Sequence, residues 1–194
     1  RDDVRSQRNG CRALAGLGDA ERRRMVALGG IEAVKAAMGR HPRDRPVQLW
    51  SCRALQHLVY DEESRDEVGD FDGIRLIHGA LWTFPKDLEL QQSGLDVLSK
   101  LVSSQAIGRR VGDLNGVEVV HGAMVQFRAD TVVQELGLTA LSLLTHSDDA
   151  LMKIKYLEGE ILVEQAMRQL SSSETWAIGR KTLNKLARAG SQTC

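Results

Sequence analysis

Aromatic side chains are scarce in this sequence: Phe, Trp and Tyr together make up 4% of its 194 residues. Any core must therefore be built mainly from Leu, Val, Ile, Ala and Met, and a hydrophobic content of 42% is enough to supply one. An excess of charge of one sign is also missing, since Lys+Arg and Asp+Glu each number 26. A dedicated nucleic-acid binder usually carries a net basic excess or a basic stripe, so nucleic acid is not expected as a partner. No apolar run approaches the ~20 residues needed to span a bilayer, and no signal-peptide pattern opens the chain. The asparagines are Asn9, Asn115 and Asn184, and none begins an N-glycosylation triplet. Three cysteines do not make a disulfide framework. These absences together favour an intracellular, cytoplasmic setting. The first residue is Arg, as expected of a processed chain or an excerpt of a longer one.

What the sequence does contain is a period. Gly30, Gly73, Gly116 and Gly159 each open an apolar run, at a constant interval of 43 residues. The same interval relates Ala37, Ala80, Ala123 and Ala166, then Gln48, Gln91 and Gln134, then Leu55, Leu98 and Leu141, then Leu58, Leu101 and Leu144. In the last copy the register slips by one, giving Gly179, Leu183 and Leu186, and a partial first copy carries Gln7, Gly10, Leu14 and Leu17. Self-similarity at a fixed spacing of this size is the signature of a repeat array.

Within each copy, small polar residues stand where helices should begin, because Asp and Ser oxygens accept from the orphan N–H groups of a first turn. Asp44, Asp87 and Asp130, with Asp3 and Ser172 in the end copies, precede a long segment; Asp61, Ser104 and Ser147, with Asp19 ahead of them, precede a short one. Each repeat thus reads as a short helix (61–69), a medium helix (73–83) and a long helix (88–102), with the Gly at the first corner expected to take positive φ. Val47, Ser51, Ala54, Leu55 and Leu58 mark one face of a long helix at helical spacing. The count is thirteen helices: five long, four medium and four short.

Three helices in about 43 residues, with Gly-Gly-Ile-Glu-Ala-Val-Lys-Ala-Ala-Met (29–38), Val-Gln (47–48) and Ala-Leu-Gln-His-Leu (54–58), resemble the armadillo repeat consensus over nearly all of residues 3–188. A two-helix HEAT unit fits less well, because of the regular Gly between the first two helices. The resemblance implies an all-α, right-handed α-solenoid (a superhelix) of about four armadillo repeats plus a leading single helix. As one domain over 1–194 it divides into a partial repeat 1–28 and repeats 29–71, 72–114, 115–157 and 158–190. Exposed ends of such an array need covering, so further repeats or a partner subunit are expected there.

Residues with chemical potential have plain readings beside the functional ones. His78 and His121 share a repeat position with Lys35 and Glu164, which reads as a solvated helix face rather than a metal site. His41 shares its place with Phe84 and Phe127, as loop packing. Cys11 and Cys52 share a position with Leu95 and Leu138, where a free Cys acts as a small hydrophobe; Cys194 is terminal and expected to be exposed. Gly16-Leu-Gly18 lacks a third glycine and a preceding strand, and Gly179-Arg-Lys-Thr lacks the first glycine of a phosphate loop. No catalytic residue, metal or cofactor is expected.

The resemblance implies that the long third helices line a concave groove for an extended peptide. In importin-α and β-catenin relatives an Asn just before the last Leu clamps the peptide backbone, and importin-α adds a Trp four residues earlier. Here the Asn position holds Gly16, His57, Lys100, Leu143 and Lys185, and the Trp position holds Arg12, Arg53, Asp96, Thr139 and Lys181. Both signatures are absent, and a basic signal peptide would meet basic residues. The expected binding residues are Arg12, Arg53, His57, Asp96, Lys100, Thr139, Lys181 and Lys185. The partner is a protein or extended peptide, acidic at one or both ends, since Glu89, Asp96 and Glu135 fall between the basic pairs. The resemblance implies a binding scaffold, with an accessory subunit of a large assembly as the alternative; neither is an enzyme.

Repeat equivalence places Leu98 and Leu141 in like environments. Replacing either by Ala is expected to lower unfolding free energy by ~2–5 kcal/mol, through lost transfer energy and a residual cavity. Denaturant melts check this; a loss under ~1 kcal/mol at both sites would show that the buried face is wrongly placed.

Overall fold

A computed structural model describes residues 3–170 and 172–190, so Cys194 lies outside the described residues. Among these residues there are thirteen α-helices and no strand. The long helices are α1 (Val4–Ala15), α4 (Arg45–Leu58), α7 (Leu88–Leu101), α10 (Thr131–Leu144) and α13 (Ser173–Gly190). The short ones are α2 (Asp19–Ala27), α5 (Glu62–Val68), α8 (Gln105–Asp113) and α11 (Asp148–Tyr156). The medium ones are α3 (Gly30–Arg40), α6 (Phe71–Thr83), α9 (Gly116–Gln126) and α12 (Gly159–Gln169). The spacing therefore gives the right number and order of helices. The chain forms two compact units, residues 1–101 with α1–α7 and residues 102–194 with α8–α13. The division falls after a long helix, inside the expected repeat 72–114, because the phase at which a periodic chain is cut into repeats is arbitrary.

The caps explain why the long helices start where they do. Asp44, Asp87 and Asp130 accept from the backbone N–H three residues on, at Val47 (2.9 Å), Leu90 (3.1 Å) and Val133 (2.8 Å). Ser172 Oγ does the same for Thr175 (3.0 Å). Asp61 forms a reciprocal capping box with Ser64, whereas Ser104 and Ser147 begin their helices with no side-chain cap bond. Asp19 is not a cap: Gly18 takes that place, and Asp19 is the first helical residue of α2.

The corner glycines work differently from the expectation. Positive φ falls on the residue before, at Gly29 (78°), Asn115 (66°) and Glu158 (56°), while Gly30, Gly116 and Gly159 are already helical. Their missing Cβ is needed for space. At Gly30 and Gly159 it would stand 2.7 Å from the carbonyl oxygens of Met25 and Ile154 in the preceding short helix. In the second repeat α6 starts earlier, capped by Asp70, whose side chain accepts from Gly73 N–H at 2.7 Å.

Each repeated Gln performs one task. Gln48 Nε2 donates to the carbonyls of Met38 and His41, both at 3.0 Å; Gln91 to Leu81 (2.7 Å) and Phe84 (3.2 Å); Gln134 to Met124 (2.8 Å) and Phe127 (3.1 Å). The residues four places after Met38 and Leu81 are Pro42 and Pro85, which have no N–H to give. Without the Gln the carbonyls of Met38 and Leu81 would lack this donor, whereas those of His41, Phe84 and Phe127 also accept from the backbone N–H of Asp44, Asp87 and Asp130. The apolar face read from the sequence is buried as expected: Val47, Ser51, Ala54, Leu55 and Leu58, and Leu98 and Leu141 with them.

Cys11 and Cys52 are free and buried; Ser51 Oγ lies 3.3 Å from Cys11 Sγ, and burial pushes the Cys52 thiol pKa up to about 12. The position read as a solvated face is instead buried in the first unit, with Lys35 at 6% exposure and His78 at 7%. Lys35 tolerates this because its ammonium lies 2.7 Å from carboxylates of both Glu32 and Asp70. Burial alone would lower its pKa, but the bonds to Asp70 and Glu32 outweigh it and hold it above the usual lysine value. The same position is half-buried at His121 and exposed at Glu164.

The glycines supply a paired test. A Cβ at Gly73 would run into the Val68 carbonyl oxygen, a backbone atom, whereas one at Gly79 would meet nothing within 4 Å. Gly73→Ala is expected to cost ~1–3 kcal/mol by overpacking, and Gly79→Ala to add up to ~1 kcal/mol from helix propensity. Equal effects in chemical melts would remove the close approach as the reason for the corner glycine.

Candidate partner-binding face

In the first unit α1, α4 and α7 pack side by side. Arg12, Arg53 and Asp96 stand at equivalent places on the three helices, with His57 and Lys100 one turn further along α4 and α7. The structure joins these residues into a polar seam. Both arginines flank Trp50, with guanidinium carbons 5.4 Å (Arg12) and 5.0 Å (Arg53) from the ring centroid. Arg53 also reaches Glu89 at 3.0 Å, and Glu89 is shared with Arg45, which pairs with Asp87 as well. Further along, Gln56 Nε2 donates to Asp96 (3.0 Å), while Lys100 pairs with Asp96 (2.9 Å) and donates to the Gln56 carbonyl (2.8 Å). Arg8 pairs with Asp44. His57 is exposed.

These pairs show in the carboxylate pKa values. Asp44 is lowered chiefly by its hydrogen bond from Arg8, and Glu89 by its bond from Arg45 and the charge of Arg53. Burial would raise Asp87, but the bonds from Arg45 and the Leu90 N–H outweigh it and leave it lowered. The first unit therefore does not offer two open basic residues at this face. Arg53 is engaged, and Arg12 is exposed but stacked on Trp50.

The second unit is arranged otherwise. Thr139 is half-buried on α10, and α13 carries Lys181, exposed, and Lys185, half-buried. Lys185 Nζ donates to Thr145 Oγ1 at 3.2 Å; burial, and then the charge of Lys181, lowers its pKa. Neither lysine has a carboxylate partner among the described residues. Lys181 borders a cavity of about 410 Å³ that Arg109 and His146 also line. Lys185 and Arg188 border another, of about 550 Å³, with His146, Leu151 and Met152.

The spacing argument missed Trp50, Arg109, His146 and Arg188. Trp50 sits three residues before Arg53, outside the positions compared across copies. Arg109 and His146 reach the face from α8 and the end of α10, through packing that no repeat offset reveals. Among the described residues no group of three or more His, Cys, Asp or Glu is placed to hold a metal ion. No helix among them is long and apolar enough to cross a membrane.

No protein-family model matches the chain, and no curated protein matches it. Among solved structures it is similar to an engineered protein whose crystal structure was determined by the Northeast Structural Genomics Consortium. That similarity has a TM-score of 0.67 at 18% identity, over 96% of this chain and 92% of the other. At such identity the likeness speaks for the all-helical fold alone.

The lowered carboxylates set a pH window. Asp44, Asp87 and Glu89 titrate below their ordinary values, near ~3.9 for Asp and ~4.3 for Glu. The stability they contribute is thus fully present above that range and lost as pH falls through it to the folded-state values. Melting temperature should hold between about pH 5 and 7 and drop below about pH 4. Glu89 is exposed and Asp44 and Asp87 are half-buried, so salt should blunt the Glu89 part of the drop most. An Arg8→Ala/Arg45→Ala variant should show a shallower acid slope; an unchanged slope would mean other carboxylates dominate.

Proposed function

We propose that the chain is a protein-interaction module of the armadillo type, holding an extended segment of a partner protein along its third helices. The observation that carries this reading is the register of α1, α4 and α7, which present polar side chains at the same place on adjacent helices. Packed helices lie ~8–10 Å apart, and an extended chain advances ~3.3 Å per residue. Each helix thus meets about every third residue of a segment laid across it. Side chains such as His57, Gln56 and Asp96 can then bond to backbone and side-chain groups in turn. On this reading the chain binds and does not catalyse.

A second reading has its own observation. Tyr156 (88% exposed) on α11 and Ile161 (50%) on α12 are exposed. Large apolar side chains on short and medium helices suit a subunit fixed into an assembly away from its third helices.

Cross-linking mass spectrometry on a partner recovered by pull-down separates the two. Cross-links at Lys100 and Lys181 support the groove, and links confined to Lys153 and Lys155 of α11 support the second reading. His57→Glu, at an exposed site, is expected to weaken the recovered partner at least about fivefold, or ~1 kcal/mol, with melting temperature unchanged. Unaltered affinity would argue against the groove.

A further inference from the structure

The distribution of cations between the two units carries more than the count of cations does. In the first unit three cations of this face are matched by carboxylates, Arg53 with Glu89, Lys100 with Asp96 and Arg45 with Asp87 and Glu89, while Arg12 lies against the Trp50 ring. In the second unit Lys181, Lys185 and Arg188 lie on one face of α13 at spacings of four and three residues, within about two turns. Arg109 of α8 borders the same cavity as Lys181, and His146 borders both cavities along this face. Arg109, Lys181 and Lys185 have no carboxylate partner among the described residues.

Lys181 and Lys185, set together without a carboxylate between them, repel one another, and the lowered Lys185 pKa reflects burial first and then the charge of Lys181. An anion laid across them removes the repulsion and gains charge-assisted hydrogen bonds. The other surroundings suit a peptide rather than a bare ion. Leu151 and Met152 line the cavity beside Lys185 and Arg188, so an apolar side chain next to an acidic one finds a place. Ser147 adds a hydroxyl at the edge of the cavity beside Lys181. No aromatic side chain lines either cavity, whereas surfaces for single-stranded nucleic acid use aromatic stacking platforms.

We infer that the α13 face of the second unit, with Arg109, Lys181, Lys185 and Arg188, docks an acidic peptide segment of the partner, and that the first unit's matched face does not. This rests on the interaction-module reading and places its charge recognition at one end rather than at both. The anionic groups are carboxylates or phosphoserines, which share the chemistry that these cations recognise.

The test uses the full chain and three fluorescein-labelled probes: an octapeptide of alternating Glu and Leu, the same peptide with phosphoserine for two of the Glu residues, and an eight-nucleotide oligo-dT. Anisotropy titrations are run at 50 and 200 mM salt for the parent protein, Lys181→Ala/Lys185→Ala, Arg109→Ala and Arg53→Ala. The expected result is binding of both peptides, tighter for the phosphorylated one if phosphate is the better fit. It is weakened at least tenfold by the double variant and several-fold by Arg109→Ala, and left within twofold by Arg53→Ala. The double variant should also flatten the salt dependence. Circular dichroism melts must show each variant folded; should the double variant melt early, Lys181→Ala alone, at an exposed site, carries the comparison with an expected loss of at least threefold. Peptide binding that Arg53→Ala removes and the lysine variants spare would overturn the inference, as would no peptide binding at millimolar concentration. Preference for oligo-dT, lost with the same lysines, would overturn it in favour of nucleic acid. Failure of these probes while the recovered partner still depends on His57 would leave the module reading standing and the acidic-segment inference refuted. Failure of both would remove both.

Discussion

The structure turns on one hydrogen-bonding arrangement: a buried glutamine amide that donates to two carbonyls at the end of the medium helix ahead of it. Gln48, Gln91 and Gln134 each do so, over the same sequence distances of ten and seven residues. The amide fixes how the medium helix meets the long one, and so fixes which side of the long helix is left for other contacts. An aliphatic residue at Gln48 or Gln91 would leave the carbonyl of Met38 or Leu81 unsatisfied, at a cost comparable to a lost hydrogen bond. In the last copy, counted with its one-residue slip, Trp176 occupies the place and is 47% exposed. The terminal long helix is thus held by packing without this clamp.

Glycine does for the short and medium helices what glutamine does for the medium and long ones. The absent Cβ at Gly30 and Gly159 lets a carbonyl of the preceding helix come close, and Gly94 similarly makes room for Leu81. The two devices are cheap in sequence, one residue each, and they recur at the same interval. That is why the period could be read from Gly and Gln before any core residue was considered.

Much of the fold was legible in this way. Helix number, order, the capping aspartates and the buried stripe around Leu55, Leu98 and Leu141 all follow from local rules acting on a repeated pattern. The backbone at the corners was misread because a recurring Gly suggests positive φ, while positive φ in fact falls one residue earlier, on Gly29, Asn115 and Glu158. Asn favours such a place, but it stands there once only, and Glu carries no such signal. Lys35 and His78 were misread for a related reason: a position that accepts Lys, His and Glu looks solvated, but burial there is met by partners such as Asp70 that lie 35 residues away. The candidate face was legible in its positions and not in its charge state. Whether Arg53 is open depends on Glu89 crossing from the next long helix, and no reading of α4 by itself contains that.

The short helices have a consequence of their own. α2 buries none of its residues, whereas α5 buries Ser64 and Val68 and α8 buries Ile107, Gly108, Val111 and Gly112. Local opening free energy follows the apolar contact a segment makes. The backbone amides of α2 therefore trade their hydrogens with solvent through a small fluctuation that leaves the Gln48 clamp intact. The first unit consequently pairs a loosely kept α2 with a better anchored α5, a difference in local cooperativity between two copies of the same short helix.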